Sequence, residues 1–359
     1  MAVLRQHAED EFKEELAELQ KHDTGVKPEN WRLSPRAVVD YLMGTKLKNG
    51  KVITPKYIGQ RRLMEIAVAT LTTDRALLLY GIPGTGKSWV SEHLTAAITG
   101  NSKLLIQGTS GTGEEAIRYG WNYAKLLVEG PTEDALVVTP LMNAMQTGKI
   151  ARIEELTRIS ADVQDNLITI LSEKLLPIPE LNTEVQAIAG FNVIATANNR
   201  DKGVNELSSA LKRRFNTVIL PTPDTAEEEI NIVKTRVEKM MSNSQLPAEK
   251  PPLKEIQRIV TIFRELRSGV TADGRTKIKS PTGTLSSAEA IGVVNNGLAL
   301  AAHFGDGRLS SSDIASGLIG AIVKDPIHDK EVWDDYLESI VKSRKEWKDF
   351  YRSCKEVSL

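Results

Sequence analysis

The sequence is poor in cysteine, in aromatic residues and in net charge. Cys354 is the one cysteine among 359 residues, 5% of the residues are aromatic, and the formal net charge is -1. A lone cysteine excludes an internal disulfide, so we expect a reducing compartment, the cytoplasm. Proteins that live on nucleic acid usually carry a basic excess or a basic face, and the balanced charge argues against that class.

Long apolar runs are also absent. No stretch approaches the roughly 20 apolar residues that span a bilayer. The charged N-terminal segment lacks the apolar core of a signal peptide. The length exceeds what one hydrophobic core usually serves, so we expect two packed units with extensions. These features predict a soluble protein that does not act on a membrane.

Short continuous apolar runs alternate with helical patterns through the first two thirds of the chain. The runs lie at 76–80, 104–106, 150–153, 191–195 and 218–220. Helical patterns lie between them, at 87–99, 160–172 and 206–213. Such runs are typical of strands buried on both faces, and their alternation with helices predicts an α/β fold with a doubly wound parallel sheet.

After Pro223 the strand signals stop. Apolar spacings of three and four residues predict helices at 224–241, 253–267, 286–302 and 310–323, and a charged helix over 329–352. The same spacing predicts an amphipathic helix over residues 2–21. An α/β unit is therefore followed by an all-helical unit.

The segment Gly81-Ile82-Pro83-Gly84-Thr85-Gly86-Lys87-Ser88 fits the phosphate-loop template, between a predicted strand and a predicted helix. Glycines let backbone N–H groups turn toward phosphates, and the helix N-terminus attracts the anion. Lys87 is expected to reach the β- and γ-phosphates, and the Ser88 hydroxyl to ligate Mg²⁺. A glycine-rich turn is the alternative. The residues predicted to contact the nucleotide are Gly81, Pro83, Gly84, Thr85, Gly86, Lys87, Ser88 and Trp89.

An acid pair, Glu154-Glu155, follows the predicted strand at 150–153. Ligands bind at the carboxyl ends of the strands in open α/β sheets. Hydrolysis needs one carboxylate for Mg²⁺ and one group that orients the attacking water. We assign Glu154 to the metal and Glu155 to the water, against the alternative of a solvated turn.

The next buried strand ends in the amides Asn198-Asn199. A neutral donor at this edge can hold the attacking water or touch the γ-phosphate, and Asn198 is the first candidate. Asparagine is also common in turns, so a structural role stays open.

The order of these motifs resembles that of an AAA+ ATPase. The motifs are the phosphate loop, the acid pair, Ala195-Thr196-Ala197-Asn198-Asn199, the segment ending in Arg213-Arg214-Phe215, and a helical lid. More narrowly, the chain resembles the MoxR-like, dynein-related branch, which includes Rubisco-activating ATPases. The resemblance covers about residues 56–325. It implies that Asn198 is the sensor-1 residue, and that Arg213 or Arg214 is an arginine finger acting on the neighbouring subunit.

The resemblance also implies two insertions, a helix-2 insert at 113–140 and a pre-sensor-1 hairpin at 175–189. Both carry more acidic than basic residues, which favours a protein client over nucleic acid. The chain departs from the family in two places. The acid pair begins with Glu154 where the family usually has aspartate, and the lid helix near Ser286 opens without an arginine.

These features predict an ATPase that binds ATP and Mg²⁺ in a homo-oligomeric ring, and the resemblance implies that this ring is a hexamer. By resemblance, it remodels or activates a protein client in a chaperone-like manner, beside a partner with a von Willebrand factor A domain. The predicted domains are an N-terminal extension at 1–55, an ATPase core at 56–222, a helical lid at 223–326 and a C-terminal tail at 327–359. A nucleic-acid-dependent motor and an ATP-gated scaffold without turnover are the alternatives.

Overall fold

A computed structural model describes residues 5–198, 205–244 and 246–357. The chain divides into two compact units, and each is described by itself. The first unit comprises Met1–Ile82 and Gly86–Leu220, and the second comprises Pro83–Thr85 and Pro221–Leu359. Among the described helices, none combines the length and apolar character that crossing a membrane requires.

Among the described residues, eleven strands lie in the first unit. In chain order, β1 to β11 are Thr45–Lys46, Val52–Ile53, Ala76–Gly81, Leu105–Gln107, Tyr119–Trp121, Leu136–Val138, Ile150–Glu154, Leu175–Ile178, Thr183–Gln186, Asn192–Asn198 and Phe215–Ile219. Five of them form one sheet in the order β11-β3-β10-β7-β4, and all neighbours in it are parallel. The predicted parallel sheet is confirmed.

The register of the sheet brings the ends of its central strands together. Asn198 at the end of β10 lies opposite Gly81 at the end of β3. On the other side of β10, Ala195 lies opposite Ile153 of β7. The carboxyl ends of β3, β7 and β10 therefore meet at one edge, where parallel sheets place their ligands.

The described part of the first unit contains ten α-helices. In chain order, α1 to α10 are Ala8–Glu11, Lys13–His22, Pro35–Met43, Arg61–Leu71, Lys87–Thr99, Glu114–Ile117, Tyr123–Glu129, Pro140–Thr147, Ala161–Glu173 and Ser209–Lys212. Two apolar clusters form its core. One contains Leu77 and Leu79 of β3, the other contains Ala76 and Leu78, and so the sheet buries both faces.

The single helix predicted over residues 2–21 is wrong, because α1 and α2 are separated at Phe12. Phe12 has φ -109° and ψ 25°, outside the helical range. Its ring lies edge-on to Tyr41 and His93, with centroids 6.4 and 5.2 Å away. Leu19 of α2 and Phe12 belong to the core of the first unit, while Ala8 of α1 is buried and its N–H donates to Glu92 Oε1 of α5 at 3.2 Å.

The two predicted insertions are antiparallel hairpins. Strands β5 and β6 pair and enclose α7, while β8 and β9 pair as the two short strands expected at 175–189. The hairpins contact each other, because the Tyr119 hydroxyl donates to Glu180 Oε2 at 2.7 Å and Arg118 Nη2 donates to the Pro177 carbonyl at 2.9 Å.

The second unit is helical. In chain order, α11 to α16 are Ala226–Ser244, Leu253–Ser268, Ser287–Phe304, Ser311–Ile322, His328–Tyr336 and Lys348–Glu356. The continuous helix predicted over 329–352 is wrong, since a π-helical turn, Leu337–Val341, and a 3-10 turn, Lys345–Trp347, lie between α15 and α16. The breaks let Trp333, Tyr336 and Phe350 enter one apolar core with the other helices.

Buried charged side chains join these helices. Arg258 of α12 is 2% exposed, and its guanidinium donates to Glu255 Oε1 at 2.9 Å, Ser311 Oγ at 2.8 Å and Asp349 Oδ1 at 2.7 Å. It also donates to the Glu346 carbonyl at 2.8 Å. One arginine thus attaches the C-terminal helix α16 to α12 and α14.

Replacing Arg258 with methionine should destabilise the protein by about 3 kcal/mol, because Glu255 would stay buried without its cation. The free energy of unfolding is measured by urea denaturation followed by circular dichroism. Arg308→Met is the matched control, since Arg308 pairs with Glu249 at 3.1 Å where both side chains are mostly exposed. Equal unfolding midpoints for the two variants would contradict a structural role for the Arg258 network.

Candidate nucleotide site

The phosphate-loop segment forms a tight turn between β3 and α5. Gly81 ends the strand, Pro83, Gly84 and Thr85 make the turn, and Gly86 precedes the helix. Gly84 and Gly86 have φ angles of +79° and +82°, which glycine adopts without a Cβ clash. The first N–H groups of α5 have no partners within the helix, so they are available to an anion.

The Lys87 side chain lies inside this loop. Lys87 is 6% exposed, and its Nζ donates to the carbonyls of Gly81 at 3.0 Å and Ile82 at 2.8 Å. The ammonium is therefore held by carbonyl groups at the start of the loop. This places a positive charge where phosphate oxygens bind in loops of this type.

Ser88 and Glu154 meet directly. The Ser88 hydroxyl donates to Glu154 Oε2 at 2.6 Å, although the two residues are 66 positions apart. Because the hydroxyl gives its proton to the carboxylate, its oxygen lone pairs stay available to a cation. Mg²⁺ prefers such oxygen ligands and is usually bound by few protein groups together with phosphates. The pair fits a magnesium ion that accompanies a nucleotide.

No group of three or more His, Cys, Asp or Glu side chains suited to a metal occurs in the described ranges. A magnesium ion at Ser88 and Glu154 would thus take its other ligands from phosphate and water. This agrees with the general behaviour of Mg²⁺, which keeps several waters and binds through one or two carboxylates.

Glu154 is buried, at 3% exposure, and both of its oxygens accept hydrogen bonds. Burial opposes ionisation, but the nearby Arg152 guanidinium and the hydroxyls of Ser88, Ser91 and Thr196 lower the pKa of Glu154 below its usual value. The net direction is downward, so the side chain is a carboxylate at neutral pH. A charged acceptor at the end of β7 is what a metal site needs.

Glu155 adopts a left-handed backbone conformation, with φ 56° and ψ 45°. Such a conformation costs a non-glycine residue roughly 1–2 kcal/mol and persists only where the surroundings hold it. Its N–H donates to Thr196 Oγ1 at 3.0 Å, and its Oε2 accepts from Asn198 Nδ2 at 2.8 Å. The carboxylate therefore lies beside the end of β10, with 27% of its side chain exposed.

Asn198 is the last residue of β10 and is 5% exposed. Together with Ser88, Glu154 and Glu155, it forms one group at the carboxyl edge of the sheet, linked through the hydroxyl of Thr196. That hydroxyl donates to Glu154 Oε2 at 2.7 Å and accepts from the N–H of Glu155. Asn199, the second candidate amide, lies outside the described residues.

The two candidate finger arginines differ in their surroundings. Arg214 Nε donates to Ser172 Oγ at 2.7 Å, and its Nη1 donates to the Ala210 carbonyl at 2.8 Å. Arg213 is exposed, and within the described ranges its side chain makes no hydrogen bond or ion pair. The structure ties Arg214 to its own unit and leaves the Arg213 guanidinium toward solvent.

Trp89 lies directly after the phosphate loop, but its indole turns toward the N-terminal segment. Nε1 donates to the Lys56 carbonyl at 2.7 Å, and the ring centroid is 4.1 Å from that of His93. The indole thus attaches the segment before α4 to the first turn of α5. A nucleotide contact from Trp89 stays a prediction.

Three polar residues of the site were not predicted from the sequence: Arg152, Ser91 and Thr196. All three contact Glu154. A local signal exists for Arg152, because a charged residue interrupts the otherwise apolar strand 150–153. Ser91 and Thr196 carry no such signal, since serine in a helix and threonine in a strand are ordinary.

Helix α13, the predicted lid helix, begins without an arginine. Ser286 caps it, accepting from the Glu289 N–H at 3.4 Å, while Glu289 Oε2 accepts from the Ser286 N–H at 2.8 Å. The basic residues of the preceding loop, Arg275, Lys277 and Lys279, are exposed. The start of the helix is therefore satisfied by its own residues.

Comparisons with known families agree with this fold. Residues 76–215 match the AAA domain of the dynein-related subfamily, and residues 227–356 match the YehL-like AAA+ ATPase C-terminal domain. The uncharacterized protein YehL of Escherichia coli K12 is 38% identical over 349 residues, which is 95% of this chain and 94% of that protein. The uncharacterized protein SH1500 of Staphylococcus haemolyticus is 29% identical over 150 residues, 42% of this chain and 56% of that protein.

Among solved structures, NtrX from Brucella abortus in complex with ATP aligns with a TM-score of 0.50 at 12% identity. The alignment covers 83% of this chain and 62% of NtrX. The complex of NtrX with ADP aligns equally well, with a TM-score of 0.50 over 84% of this chain and 66% of NtrX. At such low identity the likeness concerns the fold alone.

The parallel sheet, the phosphate loop and the helical second unit define a P-loop nucleotide-binding protein of the AAA+ class. The chain belongs to the YehL-like AAA+ ATPases. The AAA+ family and the P-loop α/β fold predicted from the sequence are confirmed.

Proposed function

We propose that this chain hydrolyses ATP with Mg²⁺ at an active site shared between subunits of a homo-oligomeric ring. The observation that supports the chemistry is the hydrogen-bonded group of Ser88, Glu154, Glu155 and Asn198 at the carboxyl ends of β3, β7 and β10. A phosphate loop alone binds nucleotide. The adjacent carboxylates add the two functions that hydrolysis requires.

In the proposed reaction, the loop N–H groups and Lys87 hold the phosphates. Magnesium, when bound, neutralises charge on the phosphate oxygens. Glu155 orients the attacking water and accepts its proton, and the Asn198 amide holds the Glu155 carboxylate in place. Glu154 keeps the Ser88 hydroxyl oriented with its oxygen lone pairs toward the metal.

For the arginine finger, we propose Arg213. A finger must reach a neighbouring subunit, so its guanidinium has to be exposed and uncommitted in its own subunit. Arg213 meets this requirement among the described residues, whereas Arg214 bonds Ser172 and Ala210. A finger in trans makes activity depend on assembly, and a hexamer is the proposed ring.

The proposed substrate of the motor is a protein client. Within the described part of the chain, the helix-2 insert exposes large apolar side chains, among them Tyr123 at 72%, Leu127 at 87% and Val128 at 84%. Exposed apolar patches mark protein contacts, and a polyanion would not favour this surface. Movement of the proposed lid (223–326) relative to the proposed core (56–222) with nucleotide state would drive the remodelling.

A von Willebrand factor A domain protein is proposed as the partner that presents the client. The family resemblance supports this partner, and the exposed insert is compatible with it. Affinity capture of the tagged Glu155→Gln protein from its native cell should recover such a protein. Capture that repeatedly lacks any protein of this class would argue against the partner.

ATP hydrolysis per subunit should rise with protein concentration and then level off, because a site completed by the neighbouring subunit exists only after assembly. Steady-state phosphate release is measured over a wide concentration range, with size-exclusion chromatography on the same samples. Lys87→Ala controls for contaminating ATPases. Constant activity per subunit would contradict a shared site, and tight ATP binding without turnover would favour the scaffold alternative.

A further inference from the structure

A buried arginine lies on the same strand as the acid pair. Arg152 is 4% exposed, although its neighbours on β7, Ile150, Ala151 and Ile153, are apolar and fully buried. An arginine is rarely buried without partners, because removing its charge from water is costly. The groups that satisfy it therefore indicate its role.

The guanidinium has four acceptors. Nε donates to Ser91 Oγ at 3.0 Å, and Nη1 donates to the Ser102 carbonyl at 3.1 Å. Nη2 donates both to the Ser88 carbonyl at 3.1 Å and to Glu154 Oε1 at 2.8 Å. One side chain thus joins the phosphate-loop helix α5 to the acid pair.

These contacts divide the Glu154 carboxylate into two ends. Oε1 accepts from Arg152 and from Ser91 Oγ, the latter at 2.5 Å. Oε2 accepts from Ser88 and Thr196. Because Oε1 is bound on two sides, the carboxylate cannot rotate, and Oε2 stays at the Ser88 hydroxyl.

This restraint matters because the acid is a glutamate. A glutamate side chain has one more rotatable bond than aspartate, and restricting it costs more conformational entropy. Without a fixed partner at Oε1, the longer side chain would sample several positions around the metal site. A cation on the same strand offsets that freedom.

We infer that Arg152 is a positioning residue: it holds Glu154 so that Oε2 faces the Ser88 hydroxyl and hence the metal of a bound Mg²⁺–nucleotide. The inference rests on the proposed function, because it concerns the same metal site. It assigns a role to a buried ion pair whose alternative role is to pack β7 against α5.

The test is the Mg²⁺ dependence of nucleotide binding, measured by fluorescence with N-methylanthraniloyl-ATP. In Arg152→Met, the Mg²⁺ concentration for half-maximal binding should rise about 10-fold, the range seen when outer-shell partners of metal ligands are removed. Binding measured in EDTA should change little. Equal losses with Mg²⁺ and with EDTA would overturn the inference, because they would indicate a general packing role.

A double-mutant cycle decides whether Arg152 acts through Glu154. In the Glu154→Gln background, Arg152→Met should shift the Mg²⁺ requirement by less than about 3-fold, since interacting residues are not additive. A shift as large as in the wild-type background would overturn the inference. Arg258→Met, which removes a buried arginine of the helical unit, is the matched control and should leave the Mg²⁺ requirement unchanged.

Ser91→Ala keeps the proposal testable if Arg152→Met does not fold. It removes one hydrogen bond to Oε1 without leaving a buried charge unpaired, so we expect a smaller rise in the Mg²⁺ requirement. In the Glu154→Gln background, Ser91→Ala should cause no such rise. An unchanged Mg²⁺ requirement in Ser91→Ala would then overturn the inference. Nucleotide binding by the wild type that does not depend on Mg²⁺ would also overturn it. Phosphate release is assayed separately: Mg²⁺-dependent binding without turnover refutes the proposed ATPase and leaves the role of Arg152 standing.

Discussion

Replacing Glu155 with glutamine should lower the rate of ATP hydrolysis by at least about 100-fold while leaving ATP binding intact, because a positioned general base contributes about 10²–10⁴-fold. Glutamine has the same shape, and its amide oxygen can still accept from Asn198 Nδ2. It cannot take a proton from water. The substitution therefore removes the chemistry and preserves the contacts of the turn.

Two measurements separate these effects. Phosphate release at saturating ATP gives kcat, and fluorescence titration with N-methylanthraniloyl-ATP gives the dissociation constant. Glu227→Gln is the matched control, since Glu227 is an exposed residue on α11, and its kcat should equal that of the wild type. If Glu155→Gln turns over ATP at the wild-type rate, Glu155 is not the general base, and Glu154 is the next candidate for that role.

Replacing Arg213 with alanine should lower kcat by about 10³-fold at saturating ATP, the lower end of what arginine fingers contribute. The reason is electrostatic, since the guanidinium stabilises charge that develops on the transferred phosphoryl group. Arg214→Ala is the comparison. Because Arg214 bonds Ser172 and Ala210, its loss should mainly lower the unfolding temperature.

Mixing two inactive variants tests whether Arg213 acts in trans. Arg213→Ala subunits keep Glu155, and Glu155→Gln subunits keep Arg213. In rings mixed from equal amounts, about a quarter of the interfaces would combine an intact base with an intact finger, given head-to-tail contacts and random assembly. Phosphate release should return to that fraction of the wild-type rate. Mixed rings that stay inactive would place the arginine in the site of its own subunit, or outside the reaction.

The elements on either side of the phosphate loop were the most accurately predicted. Strand β3, the phosphate loop and α5 lie where the pattern placed them, because an apolar run, a glycine-rich turn and a helix N-terminus are all local signals. The strand ends that carry Glu154 and Asn198 were likewise predicted, since buried parallel strands read as short apolar runs.

The errors occurred where a helix is interrupted although the spacing of apolar residues continues through the interruption. The apolar spacing of residues 2–21 continues through Phe12, because Ala8 of α1, Phe12 itself and Leu19 of α2 are all buried. Periodicity reports which face is buried and does not report a kink. The tail shows the same limitation, since its aromatic residues reach one core through two irregular turns.

The class of this protein follows from local sequence patterns. Phosphate binding requires glycines, a lysine and a hydroxyl close together in the chain, so one short segment of sequence contains all of these residues. The acid pair and the asparagine follow buried strands, and parallel strands bring their carboxyl ends to one edge.

The contacts that hold the acid pair, by contrast, depend on packing between distant segments. Arg152, Ser91 and Thr196 meet Glu154 because β7 lies between β4 and β10 and packs against α5. That strand order comes from the crossovers of the chain and cannot be read from spacing. Similarly, Arg213 and Arg214 are adjacent and chemically identical, and the contacts of Arg214 alone distinguish them. Local patterns specify which residues a site contains, whereas packing between distant segments decides what each of them touches.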